Sequence, residues 1–405
     1  MQSPGSKPVK SASLALLMLS LILLLQSPIA RRLPISSMSI LNVNRASQSV
    51  PPIPNIVHFI HLVKSNPTGG ASHLEFQFRQ FLSVYSAWYY LNPGIIYIHT
   101  NVDESLIEET LREAKSPYTQ AIARLPHVSF QYHAAPNKTT EGRAIDKIPN
   151  QSDFVRTDVM QKYGGVYLDD DAYVLRDLYP LRHIGFKNIV GRQADGHVCG
   201  AVLLATPHKE KLRNEMMITY HTLMDGIFDG GWETHSVFLL TTLVREFYAD
   251  PSQVLDLPQD SFFPLSWWHD DLEYLYHRHD DTAVAVVNNR PTKNLERFIA
   301  NFKLWQDETW ERDWRTSYVL HGWTSAISSY LNEDEQLEVF GSDQGITLDY
   351  VLKGTSNFAL AVLPAVKHAV DNGILDHVTN GSMALGGAVM DPEELLEIGI
   401  EMPEQ

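Results

Sequence analysis

Between Ile53 and Thr100 the chain alternates two kinds of apolar pattern, and this alternation narrows the folds open to it. "IPNIVHFIHL" is a short, β-branched apolar run of the kind that forms a buried strand, whereas "FQFRQFLSVYSAWYYL" repeats apolar residues at helical spacing. Asn92-Pro93-Gly94 marks a turn, and "IIYIHT" is a second strand. Strand, covering helix and strand make a β-α-β unit, which predicts parallel strands with helices on both faces of the sheet. A charged helix from Glu104 to Ala114 and a strand at "HVSFQYH" extend the pattern, so the fold class is α/β. From Pro207 onward helical patterns dominate, with strand-like "NIVGRQ" and "AVAVVN" between loops rich in Trp and His. No internal repeat and no linker marks off a second folded domain.

A chain of 405 residues with 44% hydrophobic content can bury a sizeable core. Its formal net charge of −16 and the lack of a basic stripe exclude a nucleic-acid partner, which would need clustered Lys and Arg. Cys199 is the single cysteine, so neither an intramolecular disulfide nor a paired-cysteine metal site can form.

The stretch from Ser11 to Ala30 carries no charge and contains "LALLMLSLILLL" between Lys10 and the pair Arg31, Arg32. A cleaved signal peptide and an uncleaved signal anchor both fit such a segment. Its length, near the roughly 20 residues needed to span a bilayer, favours the anchor. Lys7 and Lys10 favour a cytoplasmic N-terminus, against the pull of Arg31 and Arg32. The resulting division is a cytoplasmic tail at 1–10, a transmembrane anchor at 11–30, a stem at 31–52 and a catalytic domain at 53–345. A C-terminal helical extension at 346–380 and an acidic mobile tail at 381–405 complete it. Sequons at Asn137, Asn150 and Asn380 become glycan acceptors if the domain is lumenal.

"YGGVYLDDDAYVL" joins three carboxylates to the end of an apolar strand. In the preceding "SDFVRTDVMQK", Ser152 can cap a helix with Asp153 in its first turn, and Gly164 can end it. Asp153 and Arg156, three residues apart, share a helix face. In an extended chain Asp169 and Asp171 point to one side and Asp170 to the other. Two carboxylates at a strand's carboxyl end form a hard oxygen site suited to Mn²⁺ or Mg²⁺, at the edge where open α/β sheets bind ligands. A solvated turn is the plainer reading of "DDD" alone, and an intrahelical surface ion pair is the plainer reading of Asp153 and Arg156.

The whole run "SDFVRTDVMQKYGGVYLDDDAYVLRDL" resembles the DXD sugar-binding region of glycosyltransferase family 32, with its SD, an Arg three residues on, a Tyr-Gly-Gly and a strand ending in Asp-x-Asp. The opening strand and "SAWYYLNPGIIYIHTN" add weaker echoes, and the similarity extends over roughly residues 53 to 345. The resemblance implies a GT-A fold, a Rossmann-like mixed sheet with helices on both faces, in one catalytic domain after the anchor. It also implies a nucleotide-sugar donor (a UDP- or GDP-sugar), a divalent cation, Mn²⁺ or Mg²⁺, and transfer with retention of configuration to a glycan or glycolipid acceptor. Asp169 and Asp171 are then the catalytic metal ligands, with His321 of "SYVLHGWTSAI" a third. Asp153, Arg156, Tyr167, Asp170, His235 and Trp323 fall among the substrate-binding residues, Trp323 capping the sugar or donating its indole N–H to a phosphate. Together with the anchor, this describes a type II Golgi membrane protein.

The family often carries Trp where this chain has His61, Asn where it has Gly200, and a Gly-Pro turn where it has "GGWETHSVFLLT". Trp232, Glu233 and His235 are thereby candidates for the acceptor side, although Thr234 or Ser236 capping an ordinary helix serves the segment equally well. Trp267, Trp268 and His269 of "FFPLSWWHDD" are aromatic sugar platforms or, as clustered Trp more often is, core. His321 is equally readable as a satisfied core histidine. Two rival functions stand beside transfer: a glycoside hydrolase, whose paired carboxylates must flank a scissile bond about 5 Å or more apart, and an inactive glycan-binding relative. As an edge ligand, Asp171 is expected to be removable without harm to the fold.

Overall fold

The computed structural model describes residues 50–64, 74–113, 116–210, 212–250, 252–279, 310–340 and 345–375. The segment at 11–30, most of the stem, "AVAVVN" and the tail at 381–405 lie outside the described residues. Among the described residues no helix is long and apolar enough to cross a membrane.

Nine strands are described: β1 Ile56–Ile60, β2 Ile95–Thr100, β3 Val128–Tyr132, β4 Gly165–Leu168, β5 Ala172–Val174, β6 Asn188–Arg192, β7 Val198–Ala205, β8 Val254–Leu257 and β9 Val319–His321. Seven of them form one sheet in the order β3-β2-β1-β4-β7-β6-β8. The first four run parallel, as the β-α-β reading predicts. β7 runs antiparallel to both β4 and β6, so the sheet is mixed. The reason lies in the short connection from Gln193 to His197, closed by Gln193 N–H on His197 O at 2.9 Å, because a tight turn joins only antiparallel neighbours. An all-apolar run such as "VCGAVLLA", buried along its whole length, carries no mark of strand direction.

Helix α1, Phe78–Leu91, covers one face of the sheet, and α2, Ile148–Tyr163, covers the other. Phe81 and Tyr85 of α1 pack with Val57, Phe59, Val166 and Leu168. Val155, Val159 and Met160 of α2 pack with Ile60, Tyr167 and Leu203. A late helix, α3, Asn357–Asp371, joins the α1 layer: Phe358 and Val366 belong to the same buried cluster, and Tyr85 Oη lies 2.7 Å from His368 Nδ1.

Helix α2 begins more than a turn earlier than Ser152 would set it, with Lys147 as its N-cap, and Ser152 and Asp153 lie inside it. Pro149 explains the shift, since a helix's first turn tolerates its missing N–H and favours its fixed φ. The helix ends at Gly164, whose φ is 64° and whose Cβ position would lie 2.5 Å from the Pro207 nitrogen. Only glycine fits that approach. It lets the chain turn straight into β4 and carry the sheet to the three carboxylates.

Candidate active site

Asp169, Asp170 and Asp171 do not continue β4. They form a tight turn, closed by Ala172 N–H on Asp169 O at 3.0 Å, that leads into β5. Asp169 N–H still bonds Ala201 O of β7 at 2.9 Å, and Ser83 of α1 donates to Ala172 O at 2.7 Å, so the turn is held from both sides. Strand β5 pairs with β9 in a separate two-stranded sheet, and the register sets Ala172 opposite His321. This pairing brings the histidine to the carboxylates.

His321 Nε2 lies 3.1 Å from Asp171 Oδ1 and 3.8 Å from Asp169 Oδ2. The second oxygen of Asp171 accepts from Thr324 N–H at 2.8 Å and from the Thr324 hydroxyl at 2.9 Å. Thr324 Oγ1 in turn accepts from Arg79 Nη1 at 2.6 Å. Burial opposes a charged imidazole at His321, but Asp171 and then Asp169 outweigh it and raise its pKa to about 10. Burial likewise opposes the Asp171 and Asp169 charges; His321 and Thr324 hold Asp171 well below the usual range, and Arg156 and His321 lower Asp169.

A second cluster adjoins the first. Arg156 Nη2 bridges Asp153 Oδ1 at 3.1 Å and Asp169 Oδ1 at 3.2 Å, its guanidinium carbon 4.5 Å from the centre of the Tyr167 ring. Tyr167 donates its phenol to Asp169 Oδ1 at 2.6 Å. Asp153 and Arg156 are both buried, so this is no surface ion pair. On the far side, His235 Nε2 lies 3.1 Å from Asp153 Oδ2.

Other sequence candidates have different surroundings. His235 has 0% of its surface exposed, packed against Phe154 and Phe228, and braces Asp153 instead of opening to an acceptor. It sits in a wide π-type turn, Thr234–Phe238, in which neither Thr234 nor Ser236 caps a helix. Trp232 and Glu233 beside it are exposed. Asp170 faces away from His321 and accepts from Gln80 Nε2 at 3.0 Å; burial and then the Asp171 charge raise its pKa to about 6. His61 packs on Phe76 with ring centres 4.4 Å apart. Trp323 is beside His321, at 4.2 Å between ring centres, but its indole N–H donates to Leu265 O at 2.8 Å, so that edge is committed to the fold and not offered to a phosphate. The sequence reading missed Gln80, Arg79 and Thr324. Polar residues in the apolar helix α1, and a Thr next to His321-Gly-Trp, were the available signals.

One ligand atom each from Asp169, Asp171 and His321 fits within 4.8 Å of the others. Two hard oxygens and one imidazole nitrogen suit a divalent cation. The charge balance agrees: Asp171 and Asp169 favour a positive charge at this position, as the raised pKa of His321 reflects.

Residues 79–192 match the family described as a glycosyltransferase sugar-binding region containing DXD motif. Among curated proteins, glucan organizing enzyme 1 of Cryptococcus neoformans is 26% identical over 269 residues, covering 60% of this chain and 67% of that protein. An uncharacterised protein of Arabidopsis thaliana is 26% identical over 189 residues, covering 46% of this chain, which spans only 26% of that protein. Among solved structures, the glycosyltransferase GlyE of Streptococcus pneumoniae overlaps 80% of this chain and 64% of its own, at 12% identity and a TM-score of 0.36.

Proposed function

We propose, from the match of residues 79–192 to the glycosyltransferase sugar-binding region containing DXD motif, that the chain is a metal-dependent, retaining hexosyltransferase using a nucleotide-sugar donor. One observation carries the reading: Asp169, Asp171 and His321 converge beside the buried pair of Asp153 and Arg156. Asp171, Asp169 and His321 would hold the cation, and the imidazole would favour Mn²⁺ over Mg²⁺. When bound, the cation neutralises charge developing on the departing diphosphate. Asp153 and Arg156 orient the donor sugar through its hydroxyls, Arg156 and Tyr167 keep Asp169 aimed at the cation, and His235 fixes Asp153. The acceptor is a glycan, glycolipid or glycoprotein. The uncharged run at 11–30 supports a single-pass type II protein of the Golgi with a lumenal catalytic domain.

The hydrolase reading needs one of two facing carboxyls protonated at working pH. Asp169 and Asp171 are both held low, and Asp170, the one pushed up, points to Gln80. The complete set of charged partners argues equally against an inactive glycan-binding protein.

The test is release of nucleoside diphosphate by the purified domain with Mn²⁺, across a panel of UDP- and GDP-sugars. Metal-stimulated release from at least one donor is expected. Release from none of them, with the fold intact by circular dichroism, overturns the reading.

A further inference from the structure

From His321 a row of aromatic rings leads outward to solvent. The Trp323 ring lies edge-on to His321 at 4.2 Å, the Trp267 ring lies 5.1 Å from Trp323, and the Trp268 ring lies 5.9 Å from Trp267. Trp323 and Trp267 are half-buried, and Trp268 is 53% exposed. A single exposed indole is ordinary, but a row of three that runs from solvent to a buried charged cluster offers a continuous apolar surface to a ligand.

Hydrogen bonds hold the inner ring of this row and the backbone that carries the outer two. The indole N–H of Trp323 is fixed on Leu265 O at 2.8 Å, tying its loop to the segment that carries Trp267. Asp271 accepts from Ser266 N–H at 2.8 Å and from the Ser266 hydroxyl at 2.5 Å, and Trp268 N–H bonds Ser266 Oγ at 3.3 Å. The chain therefore enters the helix His269–Tyr276 from a turn whose backbone is held by Ser266 and Asp271, with the two adjacent indoles edge to face.

We propose that Trp267 and Trp268 form the acceptor platform of the enzyme, stacking on the C–H faces of neutral hexose units in a glycan whose reacting end reaches the Asp169–Asp171–His321 cluster. The inference rests on the transferase reading, which it deepens by naming the acceptor subsite and class. Three observations choose the occupant. The row is continuous with the cation cluster, so a ligand lying on it points at the reacting centre. The platform's polar margin is rich in acceptors, with His269 among Asp270, Glu273 and Glu335 at 3.5, 4.0 and 3.7 Å. Carboxylates there accept from sugar hydroxyls, and together with the net charge of −16 they disfavour an anionic chain.

The experiment measures binding of mannohexaose, laminarihexaose and maltohexaose to the full chain by intrinsic tryptophan fluorescence and calorimetry, for the wild type, Trp268→Ala and Trp268→Phe. At least one oligosaccharide should bind the wild type, with affinity falling about tenfold in Trp268→Ala and no more than about threefold in Trp268→Phe. For the same sugar used as acceptor, its KM should rise with the Ala change while the donor KM holds. Nucleoside diphosphate affinity with Mn²⁺ reports that each variant is folded. Equal affinity in wild type and Trp268→Ala, or binding of none of the three sugars, overturns the platform. Sugar binding that depends on Trp268, in a protein that releases no nucleoside diphosphate from any donor, upholds the platform and counts against the transferase reading instead.

Discussion

Gly200 and Arg156 share one space: a Cβ built on residue 200 would stand 2.4 Å from Arg156 Nη1. The family's frequent Asn cannot be accommodated here with the arginine where it is. Gly200→Ala should therefore push the guanidinium out of its bridge between Asp153 and Asp169. A displacement of about 1 Å at such a group costs on the order of 10²-fold in kcat/KM. Steady-state kinetics with the active donor, beside a melting curve, check this; wild-type kcat/KM in Gly200→Ala means that Arg156 does not act from its observed place.

Asp171 is not the dispensable edge ligand that its sequence position implied. It is buried, with one oxygen on His321 and the other on Thr324. Asp171→Ala should abolish transfer and also lower stability by about 3–5 kcal/mol, because it strands a buried partner charge. His321→Ala should weaken Mn²⁺ and nucleoside diphosphate binding, whereas His279→Ala, which alters a ring stacked on Trp310, should not. Calorimetric titration with Mn²⁺ reads both histidine variants directly. Cation and nucleotide affinities in His321→Ala equal to the wild type would falsify the metal role, whatever happens to activity.

Thr324 transmits the position of Arg79 to Asp171. Thr324→Val keeps the volume and the backbone donor but removes the hydroxyl at 2.9 Å and its bond from Arg79. The expected result is a 10- to 100-fold loss of Mn²⁺ affinity, about the usual effect of removing a group that orients a metal ligand. Thr324→Ser should restore most of it. Mn²⁺ titration followed by electron paramagnetic resonance measures this without turnover, and an unchanged affinity in the Val variant refutes the relay.

How far these groups could be read from the sequence depends on whether their partners lie within one element. Asp153 and Arg156 share a helix face, and Asp169 and Asp171 flank a single residue, so local spacing marked them as candidates, and the family resemblance supplied their roles. The aspartates sit in a turn and not in the extended strand that the alternation assumed. Gly200, Thr324 and Arg79 act across 44, 153 and 245 residues of chain, counted as 200 − 156 and as the separations of the two hydrogen bonds. No periodicity records such distances. The direction of β7 was hidden for a different reason: a strand buried on both faces looks alike in either sense.

Buried histidines give the fold an acid limit. His58 Nε2 lies 2.9 Å from Gly164 O and its Nδ1 lies 3.0 Å from His99 Nε2, beneath α2. Burial lowers His58 and His61 from 6.5 to about 4, and burial with the neighbouring His58 takes His99 well below its ordinary value. The unfolded chain then binds more protons than the folded one between about pH 6.5 and about pH 4. The contribution is complete above 6.5 and is lost as pH falls. His321 works in the opposite sense, complete below 6.5 and lost as pH rises through about 10. Without added cation, stability should peak near neutrality. Urea denaturation from pH 4.5 to 9 tests this, and His99→Gln should flatten the acid limb; an acid limb of unchanged slope in that variant removes His99 from the account.

For the anchor, full-length protein should sediment with membranes and keep residues 1–30. Edman sequencing of a soluble form beginning near Arg31 would establish a cleaved signal peptide in its place.

The pairing of β5 with β9 also orders events in time. Asp171 leaves the ribosome early in synthesis, but the register that sets Ala172 opposite His321 waits for a segment made far later. Until then Asp171 lacks both His321 and Thr324, the partners of its two oxygens. The centre is therefore assembled late in the birth of the protein. A translation product stopped before residue 319 would carry the recognisable DXD sequence and the helix bearing Asp153 and Arg156, yet lack β9 and with it His321.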